Sequence, residues 1–277
     1  MSSNRHTTPL HKVLKLRADA DRPSVFTTEI PEDWSQGRAT FAGLLAAIAI
    51  RALQSAVAMD GRHGRPLRSF IMDCMAPVGP GELSIAVELL QVGQSLTHAR
   101  ATLSQADQAC AVLLGAFGET HNASLSFPGT PAQPSALPPE QLVQLPYIEG
   151  AMPVFTQHFD YRWTSTHGLF SGAPNGEITG YVRALDADRV DVAVIAALID
   201  SFPSPVLTQL RAPAPSSMAT WMVNFTHARQ ALAPNEFCRY ESQTNSASGG
   251  YASFDAKLWD VEGRLLAESR QLAVEFP

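Results

Sequence analysis

The stretch Asp188–Pro205, DRVDVAVIAALIDSFPSP, decides how the chain is read. From Val190 to Ile199 nearly every residue is apolar, so the segment predicts a helix wrapped on most sides rather than one lying on a surface. Asp188 is suited to cap its start, with Asp191 in the first turn, where negative charge complements the macrodipole. Pro203 and Pro205 stop it. Asp200 is the odd residue, because a carboxylate at a helix C-terminus opposes the dipole at a cost of about 0.3–1 kcal/mol. It is either a solvated side chain opening the Ser201–Pro205 turn or a general base held at the end of a buried helix.

Outward from this helix, the chain is long enough, at 277 residues, for one large domain or two smaller ones, each with its own core. A content of 45% hydrophobic and 17% charged residues is that of a globular protein. The formal net charge of −6, with no long basic run, argues against a nucleic-acid partner. Cys74, Cys110 and Cys238 lie far apart without a CxxC pair, which disfavours a disulfide framework or a zinc knuckle and fits a reducing compartment. The polar N-terminus lacks the apolar core of a secretory signal, and the apolar run Phe41 to Ile50 is too short to cross a bilayer. A cytoplasmic protein without a membrane partner is expected.

In chain order, residues 1–22 predict a loose arm or an edge strand, and Ser24 to Ile30 a first strand. Thr40 to Met59 has the apolar spacing of a long helix, with Gly43 near its start permitting a close approach. Strands follow at Leu67 to Met75, Leu83 to Leu89, Ser95 to Gln105 and Ala109 to Phe117. A proline-rich segment then crosses to a second series: strands at Phe155 to Trp163 and Ile178 to Arg183, the opening helix, and strands at Met218 to His227, Glu236 to Ser242, Tyr251 to Trp259 and Leu265 to Phe276. Helix–meander, linker, helix–meander is an internal duplication. The expected architecture is an α+β double hotdog, two antiparallel sheets each wrapped around a long central helix. Its boundaries fall at 1–125 for the N-terminal hotdog, 126–148 for the linker and 149–277 for the C-terminal hotdog.

Several stretches resemble the TesB-type acyl-CoA thioesterase II family. Arg38-Ala39-Thr40-Phe41-Ala42-Gly43-Leu44 is similar to its helix entry, although Ala42-Gly43-Leu44 stands where a Gly-Gly-Gln is usual. Ser69-Phe70, Met75-Ala76-Pro77, Val92-Gly93-Gln94-Ser95 and Gln105 resemble its strand–bulge–strand series. Tyr181-Val182-Arg183 and Glu268-Ser269-Arg270-Gln271 continue the likeness to the end of the chain. The resemblance implies hydrolysis of acyl-CoA to free acid and CoA without a cofactor or metal, and assembly into a homodimer or higher homo-oligomer. It also implies that an Asp at this helix end, a Thr or Ser on the next strand and a Gln on the last strand activate a water. Asp200 and Gln271 fall on the first and third positions. Anchoring on Phe225 puts Met218 on the second; strand alternation turns Thr220 to the same face and Ser217 to the opposite one. Thr220 is therefore the candidate hydroxyl, with Ser217 as runner-up.

The residues themselves suit that chemistry. Asp200 can take a proton, more readily if burial raises its pKa, and the Gln271 amide can orient the water. Gln271 shares its face with the small residues Ala267, Ser269 and Ala273, which leaves room for a ligand. Amides near Gly43 at the start of the first helix are candidate oxyanion donors. Arg62, Arg65 and Arg68, with His63, form the densest basic cluster and are candidates for the CoA phosphates, or else an exposed solvated loop. The sequence lacks the second glycine of a nucleophile elbow, a phosphate-cradling loop and metal-ligand histidine spacing. A hydratase or dehydratase acting on acyl thioesters, a non-catalytic acyl-CoA-binding module and a small-ligand barrel carrier are the alternatives.

Overall fold

The computed structural model describes residues 7–121, 124–125, 137–226 and 232–275. The N-terminal half holds strand β1 (Val25–Ile30), helix α1 (Ala42–Met59) and strands β2 (Leu67–Cys74), β3 (Gly81–Val92), β4 (Leu96–Gln105) and β5 (Gln108–Gly118). After it come β6 (Phe159–Trp163), β7 (Glu177–Ala184), α2 (Val192–Asp200), β8 (Ser216–Phe225), β9 (Cys238–Ser248), β10 (Tyr251–Trp259) and β11 (Leu265–Glu275). The alternation of apolar and polar residues in β3, β8 and β10 puts one face of each in the core, as period-2 patterning requires.

All these strands belong to one 13-stranded sheet, bounded by the two-residue strands Arg17–Ala18 and Gln144–Leu145. Between those edges the order is β1-β3-β4-β5-β2, then β8-β11-β10-β9-β7, then β6. Each half thus repeats one pattern, strand, helix, seam strand, three-stranded meander, and the second half adds β6 ahead of it. The halves join where β2 and β8 pair antiparallel. Across that seam Phe70 pairs with Val223 and Trp221 with Met72, which makes Phe70 and Trp221 positional mates; their rings meet edge-on at 4.8 Å. The two expected separate sheets are therefore one.

The helices differ more than their sequences suggest. α1 has 18 residues, about 27 Å at 1.5 Å per residue, and from Gly43 to Ile50 every residue is buried. It is apolar and long enough to span a membrane by composition, yet here it lies in the core against strands β2 to β5 and α2. α2 has nine residues and starts at Val192, capped not by Asp188 but by Asp191, whose carboxylate accepts the Ala193 N–H at 3.2 Å. The reason is a stronger claim on Asp191: Arg51 of α1 donates to both its oxygens, at 2.8 and 3.0 Å, and Arg189 adds a third contact. Of the two expectations for the residues before β1, the edge strand is found at Arg17–Ala18, and the described residues ahead of it are not a loose arm. Leu10–Val13 forms one helical turn, and Leu10, Val13 and Leu14 are buried in the common core. Part of the proline-rich stretch, 126–136, lies outside the described residues.

Candidate active site

α1 and α2 pack against each other, with Gly43 against Ala197 at one end and Arg51 against Asp191 at the other. A Cβ on Gly43 would fall 3.1 Å from the Ala197 Cα and into the Phe41 ring. The missing side chain is what lets the helices approach so closely. Phe41, at the N-cap of α1, is fixed by stacking on Phe155 at 4.1 Å. The N-terminus of α1 is thereby set against the C-terminal residue of α2, Asp200.

Two neutral groups donate to the Asp200 carboxylate. Gln271 Nε2 lies 2.9 Å from Oδ1, and the Gly43 N–H, one of the donors a helix start leaves unpaired, also reaches it. The dipole of α1 favours the charge that the dipole of α2 opposes. Burial outweighs both donors and pushes the carboxyl up to about 7. The residue as a whole keeps partial exposure. Around it are groups that stay protonated at neutral pH. Burial, with Asp200 and Asp73 adding to it, raises the Cys74 thiol to about 12; burial also raises the Tyr161 and Tyr240 hydroxyls. Tyr161 donates to the Ser201 carbonyl at 3.1 Å, which anchors the turn just past Asp200.

Gln271 comes from the inward face of β11, where it is buried between Phe254 of β10 and Trp221 of β8. Asp200 and Gln271 are thus brought together. Thr220 is not. Met218 pairs with Ala273 and Thr220 with Leu272, leaving Ala219 as an extra, unpaired residue in a β-bulge. That bulge resets the alternation, so Thr220 turns to the exposed face while Met218 packs against the core. Ser217 is exposed as well. The position expected to carry a hydroxyl is filled by the Met218 thioether side chain.

The basic cluster is also used differently from the expectation. Arg65 is buried, and its guanidinium donates to the Gly93 and Gln94 carbonyls, to Thr97 Oγ1 at 2.6 Å and to Glu119. Arg68 donates to the Gly118 and Glu119 carbonyls. Both hold the β4–β5 end of the sheet together. Arg62 is half-buried just past the C-terminus of α1, the far end of a helix about 27 Å long from Gly43.

The Gly43 amide differs in role from the expected oxyanion donor, because its N–H donates to the Asp200 carboxylate. Cys74 beside Asp200 had no signal in the sequence beyond its place at the end of an alternating strand. The mates of the site residues in the other half are apolar. Ile50 is the ninth residue of α1 as Asp200 is the ninth of α2. Gly115 pairs with Phe70 as Gln271 pairs with Trp221.

Comparison with known proteins identifies both halves of the chain. A family model described as the acyl-CoA thioesterase N-terminal domain matches residues 30–118, and one described as the C-terminal domain matches 139–274. No curated protein matches the chain. Among solved structures, a hot dog-fold protein of unknown function from Alicyclobacillus acidocaldarius superposes with a TM-score of 0.81 at 19% identity, over 98% of this chain and 99% of that one. An acyl-CoA thioesterase II from Mycobacterium marinum and a tesB protein from Mycobacterium avium subspecies paratuberculosis give 0.75 and 0.76, each at 18% identity over 97% of this chain and 98% of theirs. These likenesses establish the hotdog fold.

Proposed function

The chain belongs to the acyl-CoA thioesterase family and is a thioester hydrolase, and from that premise we propose that Asp200 and Gln271 cleave acyl-CoA by activating a water. The observation that carries the proposal is the Asp200–Gln271 pair at 2.9 Å, with burial lifting the carboxyl to about 7. A base with that pKa is half ionised at neutral pH and strong enough to take a proton from water as it attacks. The new C–O bond forms at the thioester carbonyl, and the C–S bond then breaks. The proton held on Asp200 passes to the departing CoA sulfur. Gln271 keeps the carboxylate oriented through its amide N–H.

No hydroxyl takes part in this scheme, since Thr220 faces away and Met218 fills the inward position. Thiol release should therefore persist in a Thr220→Ala variant and fall about 10²- to 10⁴-fold in Asp200→Asn, with acyl-CoA binding retained. A hydratase would instead consume an enoyl-CoA without freeing thiol. Retained hydrolysis in Asp200→Asn would refute the role given to Asp200.

We also propose a cytoplasmic homo-oligomer of two or more chains. In support, the outward face of the seam exposes Ile71, its partner Met222 across the seam and Leu114 beside Ile71, an apolar group suited to self-association. Light scattering of the purified chain tests this; a monomer at micromolar concentration would refute it. The domain limits 1–125, 126–148 and 149–277 stand as a proposal, and limited proteolysis that cuts outside 126–148 first would refute them.

A further inference from the structure

We infer that Trp221 sets the substrate class of this site, restricting it to short acyl groups that carry an oxygen near the carbonyl. The inference rests on the thioesterase reading of Asp200 and Gln271. Gln271 is flanked on its own face by two large rings, Trp221 on β8 and Phe254 on β10, its direct cross-strand partners. Trp221 is 1% exposed and Phe254 4%. Cross-strand partners sit about 5 Å apart between Cβ atoms, so these rings flank the amide on both sides. Along β11 itself the next inward residues are Ser269 and Ala273, both small. Phe70 stands edge-on to Trp221 at the seam, so three rings crowd the amide from the two sides of β11. On this inference an extended hydrocarbon tail running from Gln271 towards the seam would meet these rings.

Two polar groups beside these rings lack partners. Trp221 Nε1–H and Ser269 Oγ are both buried, and neither finds a hydrogen-bond partner among the described residues. Ser269 pairs with Val223, two residues from Trp221, so the two groups are diagonal neighbours within side-chain reach. A buried donor left unpaired is costly, and the cost is recovered only by a ligand that brings an acceptor. The indole can only donate. With no cation in this row of residues, the fitting group is a neutral carbonyl or hydroxyl rather than a carboxylate.

The test is thiol release by the full chain on butyryl-, acetoacetyl-, hexanoyl-, octanoyl- and palmitoyl-CoA. Acetoacetyl-CoA should exceed butyryl-CoA by about 10-fold in kcat/KM, and activity should decline beyond hexanoyl. Trp221→Phe keeps a ring but removes the N–H, and should bring the acetoacetyl-to-butyryl ratio close to one. Trp221→Ala should move the optimum towards octanoyl; if that variant does not fold, the Phe variant still decides. A parent optimum at palmitoyl, or a ratio that Trp221→Phe leaves unchanged, overturns the inference while the hydrolase reading stands. No thiol release from any of the five would overturn both.

Discussion

Asp191 and Asp200 lie at opposite ends of the same nine-residue helix, and their surroundings give them opposite chemistry. Asp191 caps the N-terminus, where the dipole favours it, and its oxygens are shared by Arg51 and Arg189. Asp200 sits where its own helix opposes it and receives only an amide and a backbone N–H. Cations neutralise the first carboxylate and make it part of the scaffold. Neutral donors orient the second without cancelling its charge, so burial can raise its affinity for a proton. A buried acid becomes a base when it is denied a counter-ion.

The sharpest way to break this contrast is to remove each carboxylate in turn. Asp200→Asn should abolish most turnover while leaving the fold intact, and should raise stability at neutral pH because a charge is no longer held in the core. Asp191→Ala should do the reverse. It strands the half-buried Arg51 and removes the helix cap, costing about 3 kcal/mol in denaturant unfolding while the folded fraction still hydrolyses substrate. If Asp191→Ala lost activity with full stability, the scaffold role would be wrong.

A smaller effect comes from Gln271→Leu. The amide bond lowers the Asp200 pKa, so its loss should shift the rising limb of the kcat/KM profile above pH 7 and reduce the plateau about 10- to 100-fold. An unmoved limb would mean that the amide does not touch the base.

Stability should carry the same signature with a definite sign. The folded-state pKa of Asp200, about 7, exceeds its ordinary value of 3.8. Below about pH 4 both states hold the proton and the group contributes no pH dependence. Between pH 4 and 7 only the folded state keeps it, so stability falls as pH rises and levels off above 7. Subtracting unfolding free energies of Asp200→Asn from those of the parent at pH 5 and pH 8 isolates this slope; a difference that stays flat sinks it. The smallest effect expected is that of Thr220→Ala, within about 0.5 kcal/mol in stability and less than about 2-fold in turnover.

Much of the fold was legible because its signals are local. Alternation marked the main strands to within a few residues, and the run Val190 to Ile199 announced a buried helix. The repeated order of elements already held the duplication, although not the merging of two sheets into one, since that depends on β2 meeting β8. Asp200 was legible as a carboxylate on the wrong end of a helix, and Gln271 through the family resemblance, with its small neighbours in support. Thr220 was misplaced because a bulge is a property of pairing: Ala219 is unpaired only once Met218 meets Ala273 and Thr220 meets Leu272. Asp188 lost the cap to Asp191 for a similar reason, a partner 140 residues away on α1. Arg65 looked like a phosphate-binding candidate or a solvated loop residue because the carbonyls that hold it, at Gly93 and Gln94, belong to a distant turn.

The seam between β2 and β8 gives the two halves a mutual dependence. Each contributes a strand that would otherwise be a raw edge of backbone donors and acceptors, with Phe70 and Trp221 bared beside it. Either half alone would leave that edge open to pairing with another strand. A chain severed within 126–136 would be held together by the same register that joins it now, and its two fragments would find each other before they found anything else.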